Sequence, residues 1–237
     1  MLVANILAGN AQFFVEGGLS FDKTEEKTDD AGVDFFSSSD RLMFGFSSQA
    51  GYWLNDNFAV GTILAVSQSK TEGKTIYSNN PQNNNNSNRK FFRWQISAFS
   101  RYKLWGSEKF SVLLDGSLYF AKTNGKSTVE QPLSITKSSP VNLETGIKAI
   151  PVVTYDLNER LSIKVTCSFL SMNLYYLSGK TEYSQYTVFD HGLELSDGNK
   201  TKNMQNGFSF GTEGELGNIQ IGIIYKFDNN NKKKNNK

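Results

Sequence analysis

The 237-residue sequence predicts an all-β fold, an eight-stranded antiparallel up-and-down transmembrane β-barrel, on three observations. Eight segments alternate apolar and polar side chains with a period of two. Short turns alternate along the chain with long polar connections. The polar face of the alternating segments is mostly Gly, Ser, Thr and Gln, where a water-facing strand would be crowded with Lys and Glu. Hydrophobic content is only 38% and mean hydropathy is −0.43. No run of about 18 apolar residues exists, which excludes a membrane-spanning helix. It does not exclude membrane-spanning strands, which carry only half their side chains on the lipid side.

The elements follow in order. Gln12 to Asp22 sets Phe13, Val15, Leu19 and Phe21 on one face and Glu16, Gly18 and Ser20 on the other. "RLMFGFSSQAGYWL", from Arg41, alternates Leu42, Phe44, Phe46, Ala50, Tyr52 and Leu54 with Gly45, Ser47, Gln49 and Gly51. After "NDN" the pattern resumes with Phe58, Val60, Leu64 and Val66. "FFRWQISAFSRYKLW" places Phe92, Trp94, Ile96, Ala98, Tyr102 and Leu104 opposite Arg93, Gln95, Ser97 and Arg101. "KFSVLLDGSLYF" sets Phe110, Val112, Leu114, Leu118 and Phe120 against Ser111, Asp115 and Ser117. "VNLETGIKAIPVVTYDL" sets Leu143, Ile147, Ala149, Val153, Tyr155 and Leu157 against Glu144, Gly146 and Lys148. "LSIKVTCSF" sets Leu161, Ile163, Val165, Cys167 and Phe169 against Ser162, Lys164, Thr166 and Ser168. "NIQIGIIYKF" closes the series, with Ile219, Ile221, Ile223, Tyr225 and Phe227 against Gln220, Gly222 and Lys226.

Three short turns, "NDN" (55–57), "GSE" (106–108) and "NER" (158–160), are built of turn-forming residues. Pairing Leu54 with Phe58, Trp105 with Lys109 and Leu157 with Leu161 keeps the apolar faces of all three hairpins on one surface. The other connections, 22–40, 70–90, 122–140 and 173–206, read as long polar loops. The low-complexity "SNNPQNNNNSNRK" lies within the second. In up-and-down order all short turns fall at one end and all long connections at the other, the asymmetry of an outer-membrane barrel. Residues 1–11 read as the remnant of an export signal peptide, 12–227 as the barrel and 228–237 as a disordered Asn/Lys-rich tail.

The greasy face is expected to point outward. On the opposite face Glu16, Asp115 and Glu144 nearly balance Arg93, Arg101, Lys148 and Lys164, as a narrow lumen requires, because an unpaired buried ion costs several kcal/mol. Phe99, Leu113, Tyr119, Arg93 and Lys148 should fill a lumen of this size. Tyr52, Trp53, Phe58, Tyr102, Trp105, Phe110, Tyr155, Tyr225 and Phe227 gather towards the short-turn end, as one aromatic girdle at headgroup level.

Several function classes are disfavoured. Net charge is +2, too balanced for a nucleic-acid binder, and a single cysteine, Cys167, forbids an internal disulfide framework or a multi-Cys metal site. No phosphate-binding, dinucleotide or zinc-protease motif is present. The one histidine, His191, stands beside Asp190 in the last long connection, and Glu213 and Glu215 share a face. Chance adjacency and a solvated edge explain them better than catalysis, so no enzyme, cofactor or metal is expected. Tyr175, Tyr176, Tyr183, Tyr186, Phe189 and His191 are the candidate recognition residues of that connection, since Tyr gives contact area with a polar tip.

"GYWLNDNFAVGTILAV", the strand end "RYKLW" and the closing "IGIIYKF" resemble small outer-membrane β-barrel proteins of the Bacteroidota, within the broad OmpA/OmpX-like porin family. The resemblance covers residues 12 to 227 and implies the outer membrane of a Gram-negative bacterium. It also implies a terminal aromatic residue read by the barrel-assembly machinery. Here that residue would be Phe227, followed by "DNNNKKKNNK". The leading expectation is a non-enzymatic, monomeric barrel that meets outer-membrane lipid and an unidentified extracellular partner through its long connections. A small-solute channel and a soluble lipocalin-like binder, with the apolar face turned inward, are the alternatives.

Overall fold

In the computed structural model the described residues are 12–30, 35–77, 81–167, 170–189, 192–195, 201–211 and 219–227. The signal remnant, His191, Glu213, Glu215 and the Asn/Lys tail lie outside them. The described residues form eleven strands: β1 Gln12–Asp30, β2 Phe35–Asn55, β3 Phe58–Tyr77, β4 Asn85–Gly106, β5 Phe110–Gln131, β6 Ser134–Asp156, β7 Leu161–Cys167, β8 Met172–Phe189, β9 Gly192–Leu195, β10 Thr201–Gly211 and β11 Ile219–Lys226. A 3-10 turn, Pro81–Asn83, lies between β3 and β4.

Neighbouring strands β1 to β6 pair antiparallel in chain order. β6 then pairs β7, β7 pairs β11, and β11 returns to β1. The sheet therefore closes as a ring of eight strands at the short-turn end. Beyond it β8 takes over the edge of β6 and carries β9 and β10. The seventh wall is interrupted between Val152↔Thr166 and Ala149↔Met172, where a step of three residues on β6 matches a step of six along its partners. Ser171, at this step, is fully buried.

The turn registers keep the expected parity. Leu157 donates its N–H to the Leu161 carbonyl at 2.9 Å. At the first turn the ladder runs Tyr52↔Val60 and Trp53↔Ala59, and a bulge at Leu54 leaves Phe58 opposite Asn55. At the second, Tyr102↔Leu114 is two residues out of the expected register but of equal parity, with a bulge at Leu104.

The long connections are corrected by the structure. Strands β2 to β6 run 20 to 23 residues, about twice the 9 to 11 needed to cross a bilayer. Most of 22–40, 70–90 and 122–140, and much of 173–206, is strand, forming hairpins that project from one end of the barrel. Even the Asn-rich stretch is laddered, from Lys74↔Asn86 and Thr75↔Asn85 downward. Backbone pairing does not require an apolar face, and Asn84 Oδ1 accepts the Tyr77 N–H at 2.6 Å to close the tip.

The apolar side chains point outward. Leu19, Phe21, Phe44, Leu64, Ile96, Leu118, Ile147, Ile221 and Ile223 are all about half exposed or more. The interior holds Glu16, Arg101, Asp115 and Thr166 instead. This inverted arrangement overturns the lipocalin-like alternative, which needs an apolar cavity within.

Candidate functional site

The lumen is filled in layers, and strand register assembles each of them. Phe14 faces Gly51, Gly51 faces Gly61, and Gly61 faces Phe99. A Cβ at Gly61 would collide with the Ala50 carbonyl oxygen and lie 2.5 Å from the Phe99 ring. The two glycines thus clear space for the aromatic rings at either end of the row. Ala59 and Ile224 complete this floor, with Trp53 and Ile63 packed against it.

Arg101 lies on the floor, its guanidinium carbon 5.4 Å from the Phe14 ring centroid and 5.6 Å from that of Phe99. It is 1% exposed. Its direct partner across the ladder is Asp115, which accepts Nε at 2.7 Å and Nη2 at 2.8 Å. On its other side Nη1 donates to Glu16 Oε1, and Nη2 donates to Oε2 at 3.2 Å. Lys164 Nζ donates to Glu16 Oε2 at 2.8 Å and to Gln49 Oε1 at 3.3 Å, and stands 3.9 Å from Asp115. Two acids and two bases from β1, β4, β5 and β7 therefore form a closed, charge-neutral plate across the barrel. Such a plate is specified by geometry: removing one partner of a buried ion pair costs about 3–5 kcal/mol.

A second group lies towards the hairpin end. Arg93 Nη1 and Nη2 donate to Glu144 at 2.8 and 3.2 Å, and Nη2 also reaches Gln95 Oε1 at 3.3 Å. The Tyr119 hydroxyl donates to Glu144 Oε1 at 2.6 Å and lies 3.0 Å from the Asn173 amide oxygen. The positive charge of Lys148 also acts on Glu144. A third group, not anticipated from sequence, sits at the short-turn mouth: Lys226 Nζ donates to Asp156 Oδ1 at 3.0 Å, and Ser162 Oγ donates to the same oxygen. Here a vestibule of about 440 Å³ is lined by Trp53, Lys103, Asp156, Lys226 and Arg101.

The seven charged residues singled out from sequence thus divide into a plate of four and a group of three. Phe14 escaped notice because it directly follows Phe13, and only one of two adjacent strand residues can face lipid. The same rule corrects Trp53. Tyr52 points outward, while Trp53 packs inward against Phe14, with centroids 6.0 Å apart. Outside, Phe13 contacts Tyr52 and Phe227 at 5.7 and 5.2 Å, Tyr225 contacts Phe227 at 4.9 Å, and Phe110 contacts Tyr155 at 4.8 Å. Tyr102 and Trp105 are exposed at the same end, and Phe58 faces Tyr102 across the ladder.

The candidate recognition residues do not form one patch. Tyr175, Tyr176, Tyr183, Tyr186 and Phe189 are spread along β8, whose alternation sends Tyr175 and Tyr183 to one face and Tyr176 and Tyr186 to the other. Lys137 Nζ lies 5.0 Å from the Tyr186 ring centroid. Among the described residues no group of three or more His, Cys, Asp or Glu side chains is placed to hold a metal ion.

No protein-family model matches the chain, and no curated protein is similar to it in sequence. Among solved structures it is similar to a major outer membrane protein from Thermus thermophilus (13% identity, TM-score 0.44, 92% of this chain and 99% of that one). It is similar also to the outer membrane protein OprG from Pseudomonas aeruginosa (16%, TM-score 0.43, 92% and 96%). A third is the outer membrane protease OmpT from Escherichia coli (12%, TM-score 0.41, 92% and 97%). Likeness at this level assigns no activity.

Proposed function

We propose that this chain is a non-enzymatic β-barrel protein of a Gram-negative outer membrane, with a closed lumen and its interactions carried by the projecting hairpins. The observation that carries the reading is the inversion of the barrel: large apolar side chains on the outside of its walls and ion pairs within. Water would not tolerate so wide an apolar band on a monomer, whereas lipid requires it. Closure of the strands leaves the short-turn end without an open sheet edge, as a hydrocarbon environment demands.

The plate of Glu16, Arg101, Asp115 and Lys164 supports a plug over a pore, because its paired side chains come from four strands and Arg101, which borders the vestibule, is itself buried. The barrel wall is committed to lipid and the lumen to its own pairs, which leaves the hairpins for contacts with partners. The test is reconstitution into phosphatidylcholine vesicles followed by planar-bilayer recording. Protected strands, a heat-dependent gel mobility shift and negligible conductance are expected. Folded monomer in plain buffer would overturn the membrane reading; steady conductance would overturn the plug and restore the small-solute channel.

A further inference from the structure

Three lysines, Lys70 on β3, Lys90 on β4 and Lys126 on β5, occupy one register row, Lys70↔Lys90 and Lys90↔Lys126. All three are exposed, and all lie on the lipid-facing parity of their strands. With adjacent strands about 4.8 Å apart, the row spans about 10 Å. It stands at the upper limit of the apolar band. On β4 the outward series runs Ile96, Trp94, Phe92 and then Lys90; on β5 it runs Leu118, Phe120, Lys122, Asn124 and then Lys126. Lys122, half-buried, faces Trp94 across the ladder just below the row.

Like charges directly opposite one another destabilise a sheet. Where a strand of this barrel carries the sequence Lys-x-Glu, the carboxylate two residues on neutralises the exposed lysine. Lys23 pairs with Glu25 at 2.7 Å and Lys180 with Glu182 at 2.9 Å. Lys70 follows the rule with Glu72 at 2.5 Å, but Lys90 is flanked by Asn88 and Phe92, and Lys126 by Asn124 and Thr128. Among the described residues no carboxylate pairs with Lys90, Lys122 or Lys126. Glu72, an acid within electrostatic reach of Lys90, is already held by Lys70 and by Asn88 Nδ2 at 3.4 Å.

We infer that Lys70, Lys90 and Lys126 seat the phosphate monoester of a lipid headgroup in the leaflet around the hairpin end. This rests on the membrane reading above. A phosphate monoester carries about −1.5 to −2 charge and three acceptor oxygens, which suits neighbouring ammonium groups with three donors each. The apolar surface continuing directly below, Phe92, Trp94 and Phe120, with Trp94 and Phe120 ring centroids 5.6 Å apart, would take the acyl chains. That continuity selects a lipid over free phosphate. Lys122, opposite Trp94 beneath the row, is long enough to lay its stem on the apolar surface and reach the headgroup layer with its ammonium.

The test uses the full chain in vesicles of phosphatidylcholine alone, with added phosphatidylglycerol, and with added lipid A, a glucosamine lipid bearing phosphate monoesters. Insertion into phosphatidylcholine is scored first, by gel mobility; failure there overturns the membrane reading and this proposal with it. Lipid retained after detergent extraction is then measured by native mass spectrometry. Wild type should retain lipid A over phosphatidylglycerol. The variant K70Q/K90Q/K126Q should lose roughly fivefold in retention per lysine. A charge-matched control, K74Q/K137Q/K180Q, with Lys74 further up the projecting hairpin, should retain lipid A as wild type does. Equal retention by wild type and K70Q/K90Q/K126Q, equal loss in the control, equal retention of phosphatidylglycerol, or displacement of lipid A by inorganic phosphate would each overturn the assignment.

Discussion

The rings of Phe14 and Phe99 stand 6.4 Å apart, edge to face, across the backbones of Gly51 and Gly61. They come from β1 and β4, separated by two strands, and meet because the intervening positions have no side chain. Arg101 rests against both rings and is held there by carboxylates from β1 and β5. An apolar floor and an ionic plate thus share one residue, and the glycines decide whether either can form.

Gly61→Val should be strongly destabilising. Its Cβ meets the Ala50 carbonyl and, at 2.7 Å, the Gly51 Cα, which are backbone atoms and cannot rotate away. Overpacking of this kind costs about 1–3 kcal/mol or more. Gly17→Ala should be nearly silent, since a Cβ there meets nothing within 4 Å. Urea midpoints of the gel mobility shift in vesicles check the contrast; matching losses would show that the glycine row is not what admits the rings.

Arg101→Met should cost about 3–5 kcal/mol, because Glu16 and Asp115 are left buried with only Lys164 between them. Neutralising both acids in the same background, as Glu16→Gln and Asp115→Asn, should recover much of the loss. Arg101→Lys should not restore stability, since one ammonium cannot bridge two carboxylates in the bidentate manner seen here. In planar-bilayer recording, conductance should rise with Arg101→Met and with the triple variant. A closed channel in both would mean that the aromatic floor alone seals the lumen.

The fold was legible where one face of a strand meets lipid and the other does not. From Phe13 to Phe21 or from Leu42 to Tyr52 the alternation is unambiguous, and it sets parity, turn register and barrel order together. Above Lys70 and Lys90 both faces meet water, the alternation disappears, and a laddered hairpin reads like a loop. The members of the charged plate were legible as polar residues on an apolar-alternating strand. Their partition was not, because it depends on which strands lie across the lumen. Trp53 and Phe14 were misplaced or missed for one reason: in an aromatic pair, sequence alone does not say which ring turns inward.

Ile221 and Leu133 are each 62% exposed, yet substitution by Arg should separate them. Ile221 lies in the apolar band of β11, where an arginine facing mid-membrane lipid costs about 2–4 kcal/mol. Leu133 sits in the turn between β5 and β6 at the far end of a projecting hairpin, where the charge meets water. Folding yield into phosphatidylcholine vesicles should fall for Ile221→Arg and hold for Leu133→Arg. Equal yields would contradict the placement of the bilayer.

Replacing residues 74–86 with an Asn-Gly turn should leave the barrel intact. The deletion removes whole rungs and rejoins the ladder at Gly73↔Ser87, so register below is undisturbed. Most of the side chains lost are Asn, Ser, Thr and Lys, and the main apolar contact given up is that of Tyr77 with Phe35, ring centroids 5.2 Å apart. One aromatic pair of this kind contributes about 0.5–1.5 kcal/mol beyond its buried area. The gel mobility shift should therefore persist, with a modest fall in the urea midpoint. The lipid-facing rows from Lys70 and Lys90 downward remain, and lipid A retention should be unchanged. Collapse of the barrel on this deletion would show that the projecting hairpin is part of the scaffold, and would remove the ground for assigning it to partner contacts.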